Sequence, residues 1–332
     1  MLKSLLSSIG VSSFERSAAD LFRHYAEQWA DTVRQDYFGN TVATMNTGAK
    51  YRVLLSAHID EVGFQVTEVC QNGLLKVRGI GGVCPARLNT QQVVVCADCG
   101  YVNGVMVSTP MTNDGKMPDI KDFFVDIDCQ NREQAMQLIE LGAPVAFMPN
   151  YSVHDSVITS KSIDDRVGCY VVLEVMKRLK GRLKKIRLSV AATTQEEIGL
   201  RGMAAVAQTE QPDMAINVDV TDAEQLDKTS RPRMGEGCAI VLNADSHAMF
   251  RERVIKTASR ANIALQKCLG REITGGSDSS RMQIFSPKTL VGELVIPCKY
   301  MHSHTEKCSL NDIESCINII TDLLTGLDEE LA

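Results

Sequence analysis

Four apolar runs of strand length constrain this chain more than any other feature: YRVLLSA at 51–57, IRLSVAAT at 186–193, MAINVDVT at 214–221 and TLVGELVIP at 289–297. Runs of this length suit strands buried on both faces, as inside a sheet covered by helices. Helical periodicity separates them. Residues 13–29, SFERSAADLFRHYAEQW, place Phe14, Ala18, Leu21, Phe22 and Tyr25 at helical spacing, with Ser12 or Ser13 available as N-cap. After Ser162, Val167, Val171, Val175 and Leu179 form a four-spaced stripe, and Ser162 or Asp164 is placed to cap its start. A further helix is expected at about 247–265. The last one opens with Ser309 and Asp312 in a capping-box-like spacing and buries Ile313, Ile317, Ile320 and Leu324. At 332 residues the chain exceeds the size at which one core keeps growing, so a large α/β domain with a smaller second unit is expected.

The texture changes between about 67 and 155, where short Val- and Ile-rich runs alternate with the turn signals QNG, GIGG, DCGYVNG and TNDGKMPD. This segment is expected to be a mostly β insertion. Its strands would be VVVCAD, YVNGVMV, FFVDIDC and APVAFMP, and NREQAMQLIELG would supply one helix ending at Gly142. GIGG lacks the spacing and the following Lys-Ser/Thr of a phosphate loop, so it is read as a tight turn. The larger unit would then comprise 1–66 and 156–332.

Bulk properties exclude several classes. Hydrophobic residues make up 44% and charged residues 23%, and no stretch approaches the roughly 18 apolar residues of a spanning helix, so no membrane partner is expected. The N-terminus MLKSLLSSIGVSSFERS has no long apolar region or cleavage site, which points to a cytoplasmic protein. Eleven cysteines without a framework of short spacings fit a reducing compartment, and the pair Cys96 and Cys99 is read as two small buried residues, not half of a zinc site. A net charge of −6 argues against nucleic-acid binding, and KRLKGRLKKIR at 177–187 is read as a solvated connection between a helix end and a strand start.

Chemistry gathers just beyond the strands. YRVLLSA is followed by His58 and Asp60, IRLSVAAT by Glu196 and Glu197, MAINVDVT delivers Asp219, and TLVGELVIP leads to His302. Each has a plainer reading alone: a core histidine, a solvated acidic pair, or a helix cap for Asp164. Groups beyond the carboxyl ends of strands in an open α/β sheet nevertheless share one crevice. Imidazoles and carboxylates there form a metal-type ligand set, and two adjacent glutamates can divide ligation from proton transfer. Asp165 competes with Asp164, Asp222 with Asp219, and His304 with His302.

Through IGVSSFE, AHIDEVGF at 57–64, SIDDRVGC at 162–169, TTQEEIGLRG at 193–202, NVDVT at 217–221, GGSDSS at 275–280 and IPCKYMHS at 296–303, nearly the whole chain resembles the dinuclear metallo-aminopeptidases. That family includes glutamyl, deblocking and tetrahedral aminopeptidases, some formerly labelled endoglucanase or cellulase M. The resemblance implies an α/β fold, a zinc-peptidase-like mixed sheet flanked by helices, with an inserted small β-barrel-like oligomerisation domain at 67–155. It implies two divalent metal ions (Zn, Co or Mn) bridged by Asp164, one also held by His58 and Asp219, the other by Glu197 and His302. Glu196 would be the general base acting through a metal-bridging hydroxide, Asp60 would orient His58, and GGSDSS would shape the site. Short peptides would lose their N-terminal residue, and the subunits would form a homo-oligomer such as the dodecamer of many members. The chain departs from the family pattern at Lys299, at Ser303-His304, and in DAEQLDKTSRP after NVDVT. That last stretch motivates the alternative of a catalytically inactive member that binds peptides or acts as a scaffold. Polysaccharide hydrolysis is a third reading, disfavoured because glycosidases need two carboxylates flanking a sugar and not five metal-type ligands.

Overall fold

The computed structural model describes residues 1–98, 100–108, 116–225, 231–270 and 275–331. Its centre is an eight-stranded mixed sheet. From one edge the order is Thr32–Gln35, Thr41–Met45, Ile186–Thr193, Tyr51–His58, Met214–Asp222, Leu290–Cys298, Cys238–Val241 and Leu265–Cys268. The four expected runs are the four central strands, parallel to one another, so their carboxyl ends emerge along one side of the sheet. The antiparallel hairpin Thr32–Met45 extends one edge.

Burial on both faces explains the apolar runs. Val53, Leu55, Ala57, Leu188, Val190, Ile216 and Val218 point into the larger core, with the helices Arg16–Ala26, Ile163–Leu179, Ala248–Ala261 and Leu310–Glu330. The alternate positions Leu54, Ala191, Ala215 and Val291 face a smaller core under Arg201–Glu210 and Asp278–Phe285. The stripe Val167, Val171, Val175 and Leu179 is fully buried, each side chain contributing about 1.5–3 kcal/mol of apolar burial.

Three expected caps form differently. Arg16–Ala26 starts after Glu15, without a side-chain cap from Ser12 or Ser13. Ser162 is left-handed (φ 56°) and caps nothing, and Asp164 and Asp165 have non-helical backbone angles, joined by a cis peptide. It is Asp165 whose carboxylate accepts the Gly168 N–H, at 3.1 Å. Ser309 does cap the last helix, accepting from Asn311 N, but Asp312 turns away to accept from the N–H groups of Gly235 and Gly237, both at 2.8 Å. No side-chain box closes there.

A closed six-stranded barrel interrupts the sheet, in the order Gly63–Val69, Leu75–Ile80, Phe124–Asp126, Gly100–Val107, Gln92–Ala97, Pro144–Phe147. It has its own core, including Phe64, Val66, Val77, Val93, Met106, Val125 and Val145. Its first strand opens at Gly63, inside the AHIDEVGF motif. The helix Arg132–Leu138, capped by Asn131, stops short of the expected Gly142 because Ile139 is already extended. A small sheet, Ser152–His154, Val157–Ser160 and Glu306–Ser309, joins the return from the barrel to the start of the last helix.

Cys96 is partly buried and its thiol pushed up to about 11 by burial; Cys99 lies outside the described residues, as do 112–115 of TNDGKMPD and 226–230 of the stretch after NVDVT. Among the described residues, no helix is long and apolar enough to cross a membrane. In the basic run, Arg178 is paired with Glu314 at 2.9 Å, and the backbone N–H groups of Lys184, Lys185 and Ile186 converge on the Asp328 carboxylate.

Candidate metal centre

Strand register assembles the centre. His58 ends its strand directly opposite Thr193, the last residue of the neighbouring strand. Beyond Thr193 the chain turns tightly, with Gln195 left-handed (φ 57°) and Glu196 O accepting from Gly199 N and Leu200 N at 3.0 and 2.9 Å. That turn presents Glu196 and Glu197 above the sheet edge. Asp219 comes from the next strand, Asp164 from the irregular start of its helix, and His302 from the loop after Leu290–Cys298.

The Asp164 carboxylate is shared. Its Oδ1 lies 3.0 Å from His58 Nε2 and its Oδ2 3.2 Å from His302 Nε2. Glu197 Oε1 is also 3.2 Å from His302 Nε2, while Asp219 Oδ1 and Glu196 Oε2 stand 4.0 and 3.9 Å from His58 Nε2. Two donor sets, His58 with Asp164 and Glu197, and His58 with Asp165 and Asp219, each have all their ligand atoms within 4.8 Å of one another. Asp164 Oδ2 and His302 Nε2 are buried but out of line for a hydrogen bond. Buried imidazole nitrogens and carboxylate oxygens converging without complete pairing fit a divalent ion of the Zn, Co or Mn type.

The field agrees with this fit. Burial lowers the His58 pKa, yet Glu196, Asp164 and Asp60 outweigh it and hold the imidazole well above its usual range. For His302 burial is likewise outweighed, by Asp164 and Glu197, and its pKa is pushed up to about 12. Asp164 is held far below the usual carboxylate range, because the two histidines overcome its burial. The carboxylates thus demand compensating positive charge, as protons or as metal.

A surrounding layer fixes the donors. His58 Nδ1 donates to the Asp60 carbonyl at 3.2 Å, leaving Nε2 toward the centre. The Asp60 carboxylate accepts from Ser12 Oγ at 2.6 Å and from the backbone N–H groups of Glu196 and Glu197 at 3.0 and 3.2 Å. His302 Nδ1 sits 2.8 Å from the Gly82 carbonyl, so the barrel side of the molecule reaches the site. Asp278 of GGSDSS accepts from Thr193 Oγ1 at 2.5 Å and tethers its helix to the end of a central strand. The His302 side chain is 23% exposed against 2% for Asp164, so the centre opens toward His302.

Every site residue expected from the sequence, namely His58, Asp60, Asp164, Glu196, Glu197, Asp219 and His302, lies in this one cluster. Of the competitors, His304 faces away, its Nε2 3.1 Å from Met148 O and its ring beside Phe147. Asp165 belongs to one donor set but also accepts from the backbone of His58 and Gly168. Asp222 is in neither set. Two contributors carry no ligand pattern in the sequence: Gly82, within the GIGG turn, and Glu306, which accepts from the backbone N–H groups of Asp164 and His302. The glycine pair in GIGG was the available signal for the first: a Cβ on Gly82 would stand 3.2 Å from His302 Nδ1.

Solved structures similar to this chain include aminopeptidases. A TET aminopeptidase from a marine-sediment Thaumarchaeota archaeon is 30% identical and superposes with a TM-score of 0.93, covering 99% of this chain and 97% of that one. The TET1 peptidase of Pyrococcus horikoshii, which can assemble into a tetrahedron or a large octahedral shell, is 28% identical with a TM-score of 0.86 and 97% coverage of both chains. The lysyl aminopeptidase of Pyrococcus furiosus is 28% identical over 338 residues, 98% of this chain and 96% of that protein. The profile of the M42 glutamyl aminopeptidases matches residues 39–319, and the chain belongs to that family of metal-dependent peptidases.

Proposed function

We propose that this chain removes the N-terminal residue of short peptides with two divalent ions (Zn, Co or Mn), which Asp164 would hold together with His58 and Asp219 on one side and with Glu197 and His302 on the other. The observation that carries this reading is the Asp164 carboxylate facing a different histidine with each oxygen. When bound, such a pair of ions polarises the scissile carbonyl and lowers the pKa of an attacking water. The chain supplies the rest. Glu196, held by its N–H to Asp60 Oδ1 at 3.0 Å, takes the water's proton on its carboxylate and returns it to the leaving amine. Asp60 keeps His58 in the tautomer that offers Nε2, and Gly82 O does the same for His302.

Residues 67–155 are the proposed oligomerisation unit, and the assembling TET1 relative supports a closed homo-oligomer. Replacing Glu196 by Gln tests the mechanism. Turnover should fall by about 10²–10⁴-fold while metal content, read by atomic absorption, stays near the wild-type value. Near-wild-type turnover would remove Glu196 from the role of base.

A further inference from the structure

We infer that Glu306 is a positioning residue that holds the two halves of the centre in register, a role resting on the metal-centre reading above. Glu306 is 2% exposed. Its Oε2 accepts the backbone N–H of Asp164 at 3.0 Å and its Oε1 accepts the backbone N–H of His302 at 2.7 Å. One carboxylate thus grips the main chain of two proposed ligands that are far apart in sequence.

The fold explains how it reaches both. Ser160 pairs with Glu306 where Val157–Ser160 meets Glu306–Ser309. The chain leaving Ser160 arrives at Asp164 four residues later, and the chain entering Glu306 has left His302 four residues earlier. Asn150 stitches the same segments from outside the centre, accepting from Lys161 N and donating to His304 O, both at 2.7 Å. His302 is left-handed (φ 58°) without being glycine, a conformation that surrounding contacts must enforce. The Glu306 contact to its N–H is such a constraint. A carboxylate suits this place because each of its oxygens accepts; a glutamine would turn an N–H₂ toward one of the two donors.

The test is a Co(II) titration of metal-free wild type, Glu306→Gln and Glu306→Asp, followed by visible absorption and chelator competition, with circular dichroism as the check on folding. Wild type should bind two ions. Glu306→Gln should weaken both ions, since both use Asp164, but unequally, the one that also uses His302 falling about 10–100-fold, with an altered cobalt spectrum and a fall in kcat that exceeds any change in KM. Glu306→Asp, which keeps both acceptors on a shorter stem, should recover part of the loss. A folded Glu306→Gln protein with wild-type affinities and spectrum would overturn the inference. So would equal loss of both ions with no recovery in Glu306→Asp, or failure of both variants to fold, since each assigns Glu306 to the fold alone. Wild type that binds no Co(II) would instead overturn the metal-centre reading itself, and this inference with it.

Discussion

Neighbouring acids in this site have different partners and therefore different roles. Asp60 is saturated by N–H and O–H donors, whereas the carboxylate of Asp164 is aimed at two imidazoles. Glu61, next in the chain to Asp60, takes a third path: it is buried against Lys161 at 2.7 Å and Arg166 at 3.6 Å and accepts from Gly10 N at 2.9 Å, tying the N-terminal segment to the loop that carries Asp164. Replacing Glu61 by Gln would leave two buried cations short of their anion and should destabilise the protein by about 3–5 kcal/mol, readable in urea unfolding. Burial raises the Glu61 pKa, but Lys161 and Arg166 outweigh it and hold it below its usual 4.5. With the folded value depressed, its contribution is complete above about pH 4.5 and is lost as pH falls through the folded value, so Glu61→Gln should flatten the acid limb of stability against pH. His58, Glu196, Glu197 and Asp219 were legible because they end or follow apolar strands, and Asp164 only through the resemblance carried by SIDDRVGC. Glu306 was not, because an acid four residues beyond a histidine carries no pattern until Val157–Ser160 and Glu306–Ser309 pair.

At the scale of elements, long apolar segments were legible and short or half-polar ones were not. Ile186–Thr193 and Met214–Asp222 announce themselves through burial on both faces. Thr32–Gln35 is largely exposed, and Cys238–Val241 and Leu265–Cys268 have four residues each, too few for periodicity to show. Caps were misplaced where a side chain found a tertiary partner: Asp312 holds the Gly235 and Gly237 backbone and so leaves the box open. GIGG was read as a turn, which it is at Gly81 (φ 76°), but its next glycine also touches the centre. Gly82→Ala would press a methyl group against the His302 ring and should lower kcat/KM by about 10-fold or more through displacement of one ligand. Unchanged kinetics and metal affinity in that variant would show that the loop yields freely and that this glycine is dispensable.

On the scale of the whole molecule, the barrel and the sheet unit meet at the centre through the Gly82 carbonyl on His302 Nδ1. A barrel that served assembly alone could be removed with the site intact. This contact predicts otherwise: replacing the whole barrel, 63–147, by a short linker should cost both oligomerisation, read by light scattering, and activity per subunit. A monomer of full activity would confine the barrel to assembly. The proposed activity depends on metal held at Asp164. Its most direct test is hydrolysis of a panel of aminoacyl p-nitroanilides by chelator-stripped protein reloaded with cobalt or zinc. The stripped protein should release nothing, and reloading should restore hydrolysis fully at two ions per subunit, with a clear preference for some N-terminal side chains. Release that survives chelation, or none on any substrate from protein shown to hold two ions, would contradict the proposed activity.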